Sequence, residues 1–596
     1  MAKSSSYPPE FVLSRPHGVV RAPKDFDWVK KNIPCQTACP AGTDIPGYLD
    51  AIAHRNYEEA YRINLRDNVF PAVLGRVCTR PCEPACRHGW EGLGDPVAIC
   101  FSKRSAADFQ ARKTPVKLDS LFPPTGKRVA IVGGGAAGLT VARELALWGH
   151  QATVFERESE PGGLMILGIP PFRLPRDIVA LEIEQIRQVG VDIQCGKEIG
   201  ANLSLDELQT DYDAVVLAAG THQPNIPEWP GIALNGVEHG LGFLRRANQA
   251  GDIEVGRHVV VIGGGFTAVD CARTAQRFGA ETVAIYYRRS VNEMYISAHE
   301  LEELENEGIA FHPLSAPIAF GGSDEAVTEV RFATVMLGEP DASGRRTPIP
   351  LPDSEFTVPA DQVLLATGQQ PDTSWLKNTT AATSLKTAYD GSHSSPQIGD
   401  SHLFIAGDFA LGALSLIDAI GHAKSCAQAV DTFLMGHKRR QEVVVIEEAT
   451  ATGRTREMDE IPRQPMPTLP LEERSQIAEV ETGYDEEAAV TEAQRCYLCH
   501  YKYEIDNDLC IYCDRCLKVK PVENCIVKVS ALKHDEAGRI TGYERSTSSR
   551  DYNLLFIDQN ECIRCGACAE VCPVECISLQ KVSLQTRETP KPEGKT

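Results

Sequence analysis

Apolar and polar positions in the middle of the chain follow a repeated strand–turn–helix–strand pattern. The apolar run Val129–Val132 predicts a buried strand, and a glycine-rich turn and an amphipathic helix come after it. A second short strand follows and ends at Glu156. Glycines at such a turn let the backbone approach a pyrophosphate, and an acid after the second strand accepts a hydrogen bond from a ribose. The unit therefore predicts a dinucleotide site, with candidate contacts Gly133, Gly135, Ala136, Ala137, Gly138 and Glu156, and Gly163 and Leu164 just beyond it.

A second unit of the same pattern covers residues 258–290, with candidate contacts Gly263, Gly265, Phe266, Thr267 and Ala268. Its second strand ends in Tyr287-Arg288-Arg289 rather than in an acid. A carboxylate there would repel the 2′-phosphate of NADP, whereas arginines pair with it. Arg288 and Arg289 therefore favour NADP(H) over NAD(H), and the alternative is a solvated basic turn.

Length and charge narrow the classes of function. A chain of 596 residues is too long for one core, and three to five domains are expected. Its net charge of −21 disfavours nucleic acid and anionic membranes as partners. The sequence has no run of eighteen apolar residues, and its first residues lack the apolar stretch of a signal peptide. We therefore expect a cytoplasmic protein without membrane insertion.

The twenty cysteines are distributed unevenly. Cys195, Cys271 and Cys426 lie in the middle, without the paired spacing of a redox-active disulfide, and we expect them to be ordinary buried thiols. Sixteen others form closely spaced groups towards the two ends, and sixteen thiolates would bind four 4Fe–4S clusters. The predicted ligands are Cys35, Cys39, Cys78, Cys82, Cys86, Cys100, Cys496, Cys499, Cys510, Cys513, Cys516, Cys525, Cys562, Cys565, Cys568 and Cys572.

Zinc ribbons are the alternative for these groups. The run Cys562-x2-Cys565-x2-Cys568-x3-Cys572-Pro573 distinguishes the two interpretations. Three closely spaced thiols can bind three corners of one cubane, while a fourth thiol before a proline points to a second cluster. Zinc sites are normally built from two CxxC pairs. The run therefore favours iron–sulfur clusters and one-electron transfer.

Several segments resemble a known flavoprotein family: CQTACPAGTDIPGYL, GRVCTRPCEPAC, IVGGGAAGL, VIGGGFTAVDCAR and YYRRSVNEM. Residues 35–437 resemble the small subunit of NADPH-dependent glutamate synthase and the N-terminal half of dihydropyrimidine dehydrogenase. The resemblance implies FAD in the first unit and NAD(P) in the second. It also implies that Asp408, after Gly407, binds the ribityl chain of the flavin. Gly368, in the segment ATGQQPD, would mark the return from the NAD(P) domain to the FAD domain.

In that family a helical N-terminal domain holds two 4Fe–4S clusters, and an early CxxC pair supplies ligands. No such pair precedes Cys35, but Cys496-x2-Cys499 resembles it in a displaced position. The resemblance thus implies one cluster on Cys35, Cys86, Cys496 and Cys499. It implies a second cluster on Cys39, Cys78, Cys82 and Cys100. A buried free thiol is the alternative for Cys100.

Residues 505–580 resemble a bacterial two-cluster ferredoxin. The ligand pattern of such ferredoxins assigns Cys510, Cys513, Cys516 and Cys572 to one cluster, and Cys562, Cys565 and Cys568 to the other. Lys520 occupies the place of the eighth ligand, and Cys525 is the nearest substitute, which would leave Cys576 spare. If Cys525 cannot reach, this cluster has three cysteines and is labile or of the 3Fe–4S type. The long segment 527–561 predicts a β-hairpin or a docking insertion.

The sequence as a whole predicts a multidomain α/β protein. We expect an N-terminal helical iron–sulfur domain over residues 1–124, and a discontinuous FAD domain over 125–250 and 357–437. An NAD(P) domain would occupy 251–356, and both nucleotide domains would be Rossmann-like with a three-layer ββα architecture. Residues 438–504 form an acidic linker with the returning CxxC pair, which either wraps the surface or is a disordered tether. A ferredoxin-like α+β domain would cover 505–596.

Together these observations predict an electron-transfer flavoprotein subunit. It would exchange hydride with NAD(P)H at FAD and, through the clusters, single electrons with a ferredoxin or a catalytic partner subunit. Family resemblance favours a 2-oxoacid:ferredoxin oxidoreductase complex, of the 2-oxoglutarate type, as the partner. The alternatives are the glutamate synthase small subunit, which works without an appended two-cluster domain, and a non-enzymatic polyferredoxin scaffold. No catalytic side chain is predicted, because both kinds of chemistry belong to cofactors.

Overall fold

The computed structural model describes residues 24–90, 94–110, 116, 118–294, 296–341, 344–376, 379, 395–536, 540–548 and 554–589. The first part of the predicted helical domain, residues 1–23, lies outside these ranges. The described part of that domain is helical, as predicted. Its helices are α1 (Phe26–Asn32), α2 (Pro34–Ala38), α3 (Ile45–Ala53), α4 (Tyr57–Asn68), α5 (Pro71–Val77) and α6 (Ile99–Gln110).

Proline and cysteine mark the limits of these short helices. α2 and α5 begin at Pro34 and Pro71, where a missing N–H costs nothing because the first turn has no partner for it. Cys39 directly follows α2 and Cys78 directly follows α5, and both cysteines adopt an extended backbone. The helical domain therefore presents two of its predicted iron ligands at helix ends.

Strands and helices alternate through the middle of the chain. In chain order they are β1 (Arg128–Val132), α7 (Ala136–Leu147), β2 (Gln151–Glu156), α8 (Leu164–Leu167), α9 (Arg176–Gln188), β3 (Asp192–Cys195), α10 (Leu205–Asp211), β4 (Ala214–Leu217), β5 (Gln223–Pro224), β6 (Val237–His239), α11 (Gly240–Ala250), β7 (His258–Ile262), α12 (Phe266–Arg277), β8 (Thr282–Tyr286), α13 (Ala298–Asn306), β9 (Ala310–His312), β10 (Ser315–Ser323), β11 (Ala326–Pro340), β12 (Arg346–Pro359), β13 (Gln362–Leu365), β14 (Gln369–Gln370), β15 (Leu403–Ile405), α14 (Asp408–Leu411) and α15 (Leu416–Met435).

These elements build two parallel sheets of the doubly wound type. The first has the order β15-β4-β1-β2-β3 and the second has the order β6-β13-β7-β8-β9. Strands β10, β11 and β12 form a third, antiparallel sheet, which packs on the second one through Phe320, Phe332 and Tyr286. Both predicted dinucleotide units are thus present as folded βαβ units.

The boundary of the inserted domain differs from the predicted range 251–356. Strands β6 and β13 belong to the second sheet although they lie outside that range. The chain passes between the two domains twice, once at β5 and once at β14. These two strands pair with each other as a two-stranded antiparallel ribbon. A pattern of apolar positions could not assign such short strands, because β6 and β13 have only three and four residues.

The C-terminal region holds β16 (Arg440–Ala449), α16 (Glu486–Gln494), β17 (Tyr501–Ile505), α17 (Arg515–Val519), β18 (Ile526–His534), β19 (Ile540–Arg545), β20 (Leu554–Ile557), α18 (Ala567–Glu570) and β21 (Ile577–Glu588). β21 pairs antiparallel with both β16 and β17, so the last strand is held between two others. β18 and β19 form a hairpin, which agrees with the inserted hairpin expected between the repeats. Among the described helices, including the 20-residue α15, none has the length and apolarity of a bilayer span.

The linker follows the surface of the other domains and is not a free tether. Glu492 on α16 is fully buried, and its carboxylate accepts hydrogen bonds from the backbone N–H groups of Ala98 (2.6 Å) and Gln464 (2.7 Å). Arg495 donates to the same carboxylate at 2.7 Å and to the carbonyl of Asp95 at 2.7 Å. This network carries the following CxxC pair into the helical domain. One continuous core consequently joins Trp28, Val129, Ala423, Cys496 and Val582.

Candidate functional site: a flavin cavity and four sets of thiols

A cavity of about 450 Å³ lies where the two dinucleotide units face each other. Its size is within the usual range of small-molecule and cofactor sites. Predicted contacts from both units line it: Gly133, Gly135, Ala136, Ala137, Glu156, Gly163, Leu164, Phe266, Thr267 and Asp408. The structure thus brings together side chains that the sequence placed in two separate motifs.

The glycines of the first turn are required by close backbone contacts. A Cβ on Gly133 (φ +108°) would lie 2.5 Å from the carbonyl oxygen of Ala218, and one on Gly138 would lie 2.0 Å from that of Gly133. Side chains at these positions would push the turn away from the sheet. The turn can therefore stay tight, with its backbone N–H groups at the start of α7.

Glu156 fixes this turn from the end of β2. Its buried carboxylate accepts hydrogen bonds from the N–H groups of Gly134 at 2.6 Å and Glu158 at 2.8 Å. Burial raises the pKa of Glu156, and the two N–H donors oppose that shift. The carboxylate thus holds the glycine turn in place and also lines the cavity, where the sequence placed a ribose.

Asp408 gives the clearest indication of which ligand the cavity would bind. It begins α14 directly after Gly407, whose positive φ of 62° and close approach to Ala137 exclude a side chain. The Oδ1 atom of Asp408 is buried and has no hydrogen-bond partner among the residues that the structure describes. Burial raises the pKa of this carboxyl group to about 7. A buried acceptor in a cavity needs a donor, and the hydroxyl groups of a ribityl chain would fit this need.

The glycine turn of the second dinucleotide unit has more open space around it than the turn of the first unit. A Cβ on Gly263 would lie 2.6 Å from the carbonyl oxygen of Ala366, but Gly265 has open space around it. The ring of Tyr287 packs directly on Gly264. Gly368 (φ +93°) does not line the cavity; its carbonyl accepts from His239 at 3.0 Å, near the chain crossing.

The two predicted phosphate-binding arginines have different environments. Arg289 is buried, and it donates to the carbonyl of Arg346 at 2.8 Å and to Asp341 at 3.0 Å. Arg288 is exposed at the end of β8. Partial burial and the nearby charges of Arg289 and Arg345 lower the pKa of Arg288. Arg289 therefore shapes the turn, and Arg288 is the side chain available to a 2′-phosphate.

The sixteen predicted thiols fall into four neighbourhoods, which we name sets 1 to 4. Set 1 consists of Cys39, Cys78, Cys82 and Cys100, all buried. Burial, and to a smaller extent the neighbouring thiols, raise the pKa of Cys78 and Cys82. Lys103 is buried beside all four members of this set. The Cys100 thiol donates to the carbonyl of Leu74 at 3.2 Å, so its role as a ligand stays a prediction.

Set 2 consists of Cys35, Cys86, Cys496 and Cys499. Burial, together with the thiols of Cys86, Cys499 and Cys496, raises the pKa of Cys35 well above its usual value. The structure therefore brings the returning pair to the N-terminal cysteines, as the sequence predicted. Binding of iron would replace the protons of these thiols and stabilise the thiolates.

Sets 3 and 4 lie in the ferredoxin-like domain. Set 3 consists of Cys525, Cys562, Cys565 and Cys568, and the structure places Cys525 near Cys562 and Cys565, where the sequence needed a fourth ligand. Set 4 consists of Cys510, Cys513, Cys516 and Cys572, which line one small cavity. Cys568 of set 3 also lies near Cys516 of set 4, so the two sets are neighbours.

Three buried arginines fill the junction between set 2 and set 3. Arg87 places its Nη1 atom 3.9 Å from the sulfur of Cys499, and Arg564 lies between Cys499 and Cys562. Arg454 donates to the carbonyl of Ile563 at 2.6 Å. All three have a buried N–H group that finds no acceptor among the described residues.

Buried cations without full pairing are costly unless anions lie nearby. Clusters bound to four thiolates on either side would supply that negative charge, so this junction fits the iron–sulfur interpretation. Sequence analysis missed these arginines. For Arg87 and Arg564 the signal is their position next to ligand cysteines, directly after Cys86 and between Cys562 and Cys565, and Arg454 has no such signal.

Set 1 is the set that adjoins the flavin cavity. Leu416 and Ala419 at the start of α15 line the cavity, and further along this helix Gly421 packs against Pro40, next to Cys39. Lys424 donates to the carbonyl of Ala41 at 3.0 Å. The contacts of Cys35 include Cys82, so set 2 follows set 1. The order from the cavity outwards is therefore set 1, set 2, set 3 and set 4.

The remaining central cysteines take no part in these sets. Cys271 and Cys426 are fully buried, and Cys195 at the end of β3 is partly exposed. Within the described residues, no three Cys, His, Asp or Glu side chains converge in the manner of a site for a single metal ion.

Comparison with known families identifies the parts of the chain. The family model "pyridine nucleotide-disulphide oxidoreductase" matches residues 127–432. A model described as dihydropyrimidine dehydrogenase domain II with a 4Fe-4S cluster matches residues 29–115, and a "4Fe-4S binding domain" model matches residues 555–578. These matches confirm the flavoprotein resemblance and the choice of iron–sulfur clusters over zinc. The number of four clusters stays a prediction.

Three relatives are named as NADP(H)-linked subunits or chains of larger enzymes. The NADP(+)-dependent formate dehydrogenase subunit beta of Moorella thermoacetica is 36% identical over 513 residues, which cover 78% of this chain and 70% of the relative. The NADPH-Fe(3+) oxidoreductase subunit beta of Geobacter sulfurreducens is 36% identical over 514 residues, covering 79% and 75%. The glutamate synthase [NADPH] small chain of Azospirillum brasilense is 33% identical over 422 residues, covering 67% and 86%.

The geometry and the comparisons agree. Bound FAD, NADP(H) and 4Fe–4S clusters explain three features: the two facing dinucleotide units, the buried Oδ1 atom of Asp408 that lacks a partner among the described residues, and the thiols gathered from both ends of the chain. The chain belongs to the pyridine nucleotide-disulphide oxidoreductase family and is an NAD(P)H-linked, FAD- and iron–sulfur-dependent electron-transfer oxidoreductase.

Proposed function

We propose that the chain is the NADP(H)-linked subunit of a larger oxidoreductase complex and that its partner subunit exchanges single electrons with it at set 4. When bound, FAD supplies hydride exchange with NADP(H), and each cubane carries one electron at a time. The protein's own contribution is to hold these groups in a fixed order and to exclude water from the inner ones.

The main support for this proposal is that set 4 lies at the surface of the protein. Cys513 is the exposed member of the sixteen predicted ligands. Around it, Leu509 and Ile511 are 59% exposed and Val574 is 36% exposed, although all three are large apolar side chains. Apolar groups clustered at a surface are typical of interaction sites. A partner that covered them would bring its own redox centre close to set 4.

The partner class rests on resemblance. We propose a 2-oxoacid:ferredoxin oxidoreductase, because an appended two-cluster domain is expected of the NAD(P)-linked subunit of such complexes. A formate dehydrogenase catalytic subunit is the second candidate, since the Moorella thermoacetica relative is named for that reaction and is 36% identical over 513 residues. A glutamate synthase large subunit is disfavoured, because its small subunit works without the appended domain.

Arg288 is the residue that we propose to select NADP(H) over NAD(H). It lies at the end of β8, and Arg289 beside it is already paired with Asp341. Replacing Arg288 with alanine should raise KM for NADPH by about tenfold and leave KM for NADH unchanged, because one charge-assisted pair is lost. Steady-state oxidation of both nucleotides with a viologen acceptor tests this. Equal effects on both nucleotides would contradict the assignment.

Purification from the native host without oxygen tests the partner. Co-purifying subunits should be identified, and the complex should then be assayed for NADP-linked oxidation of 2-oxoacids and of formate. The Ile511→Glu variant should release the partner while keeping NADPH:viologen activity. The matched control is Ile477→Glu, on the linker, where the side chain is 75% exposed. A partner that stays bound to Ile511→Glu would overturn the proposed docking surface.

A further inference from the structure

The cavity of set 4 contains one thiol more than a cubane needs. Five cysteines line it, namely Cys510, Cys513, Cys516, Cys572 and Cys576. A 4Fe–4S cluster takes four thiolates. The sulfur of Cys576 lies 3.4 Å from that of Cys572, and it also contacts Cys510. Cys576, which the sequence left as spare, is therefore part of this site.

The neighbouring repeat shows what a cysteine at this position can do. The two repeats read Lys520-Pro-Val-Glu-Asn-Cys525 and Cys572-Pro-Val-Glu-Cys576. In the first repeat no thiol precedes the proline, and Cys525, after it, lies beside Cys562 and Cys565. Cys525 lies four residues after Pro521 and Cys576 lies three residues after Pro573, so the segment that follows the proline can bring a thiol to a cluster cavity in this fold. The second repeat has a cysteine at both positions.

The backbone between the two thiols is bent to keep both at the cavity. Cys572 follows α18 and Cys576 directly precedes β21. Between them Glu575 adopts a positive φ of 51°, a conformation that is unfavourable for a residue with a side chain. The N–H groups of Val574, Glu575 and Cys576 are directed at the sulfur of Cys572. Cys572 occupies the ligand position before the proline in the ferredoxin pattern, and we therefore take it as the resident ligand.

We propose that Cys576 is an alternative fourth ligand of set 4, which binds the iron when Cys572 does not. In the exchange, the iron–sulfur bond to Cys572 breaks and one to Cys576 forms. The proton of the Cys576 thiol passes to the departing Cys572 thiolate, so no oxidant or reductant is needed. The distance between the two sulfurs is short enough for the exchange to occur without unfolding of the domain.

This arrangement would protect the most exposed cluster of the chain. Set 4 lies at the surface, where oxygen and oxidants reach it first, and thiol oxidation follows exposure. Cys572 is partly exposed, whereas Cys576 is only 4% exposed. The buried thiol would keep the cluster in place after damage to the exposed one.

Alanine variants test the proposal, because a serine oxygen could itself bind iron. The full chain is purified without oxygen as Cys572→Ala, Cys576→Ala and the double variant. Iron and sulfide content are measured, with EPR of the oxidised protein to detect a 3Fe–4S cluster. Both single variants should keep the wild-type iron content. The double variant should lose about one iron per chain and show the 3Fe–4S signal.

The matched control is Cys525→Ala in set 3, where Lys520 offers no second thiol. It should lose iron as a single variant. A Cys572→Ala variant that already resembles the double variant would overturn the proposal, and so would a Cys576→Ala variant that does. Flavin content and NADPH:ferricyanide activity report on folding and depend on the other domains, so a failure here is distinguishable from failure of the proposed function. If Cys572→Ala does not fold, the same comparison is made with Cys572→Gly, which likewise offers no side-chain ligand.

Discussion

The helical N-terminal domain and the ferredoxin-like C-terminal domain each gather eight predicted iron ligands, but they do so differently. In the helical domain the ligands come from opposite ends of the sequence, and set 2 exists only where Cys496 and Cys499 reach Cys35. In the ferredoxin-like domain all eight lie between Cys510 and Cys572. The first domain buries seven of its eight thiols and leaves Cys86 partly exposed, whereas the second domain exposes Cys513.

This difference corresponds to two tasks. A site made by distant segments is enclosed by all of them, so sets 1 and 2 suit transfer within the molecule. A site made by one short segment can lie at an edge, so set 4 suits exchange with another protein. Four experiments test this difference between the two domains, and they are given in order of decreasing expected effect.

Removal of the returning pair should interrupt transfer inside the molecule. In a Cys496→Ala/Cys499→Ala variant, set 2 loses half of its ligands, and we expect loss of a cluster with at least about a hundredfold slower NADPH-dependent reduction of the partner. NADPH oxidation with ferricyanide should persist. Cys513→Ala is the matched comparison, since it affects set 4 alone. Undiminished transfer through the double variant would contradict the order of the sets.

We expect Glu492 to contribute more than other linker residues to holding the linker against the helical domain. Replacing Glu492 with alanine removes the only carboxylate that Arg495 is described as pairing with and leaves two backbone N–H groups without their acceptor in the interior, which should cost about 3–5 kcal/mol. The midpoint of chemical denaturation of the holoprotein measures this loss. Glu486→Ala, at a side chain that is 51% exposed, should change stability by less than about 0.5 kcal/mol. Equal effects would show that the linker is not held by this buried pair.

Arg564 should raise the reduction potentials of sets 2 and 3. Its replacement by glutamine removes a positive charge between them, so each added electron becomes less favourable and the midpoint potentials should fall. A charge at this kind of separation contributes on the order of 1–3 kcal/mol, or roughly 40–130 mV for one electron. EPR-monitored redox titration measures the shift. Arg62→Gln, at a 52% exposed side chain on α4, should leave the potentials unchanged.

An iron chelator should remove iron from the two domains at different rates. Set 4 should lose iron first, because Cys513 is exposed and the members of sets 1 and 2 are buried or nearly so. Iron release followed with time, together with EPR, should show one fast and several slow phases. In Cys513→Ala the fast phase should disappear. A single uniform rate for all clusters would contradict the contrast between enclosed and exposed sets.

Much of this organisation could be predicted from the sequence, and the exceptions have physical causes. Spacing identified both dinucleotide units, because a tight turn requires glycine at positions such as Gly133. It also identified Cys525 and the returning Cys496, because an incomplete set of four thiols indicates where another thiol is needed. The structure places both of these cysteines near their predicted partners.

Features that depend on packing could not be predicted. Strands β6 and β13 are too short for a periodic signal, so the boundary of the NAD(P) domain was wrong. Arg288 and Arg289 are adjacent and chemically identical, and only the position of Asp341 distinguishes them. Arg87 and Arg454 are far apart in the sequence, and nothing in either segment shows that they meet. The sequence predicts Cys576 to be spare, because four other cysteines already complete the ligand set of a cubane.

The return of the chain to its beginning also constrains how the protein matures. When the ribosome has made the first hundred residues, half of the thiols of set 2 do not yet exist, and they appear only after residue 499. Set 2 therefore cannot receive its full iron until the chain has been made as far as Cys499. A product truncated before that point would expose Cys35 and Cys86 to oxygen without the means to complete their site.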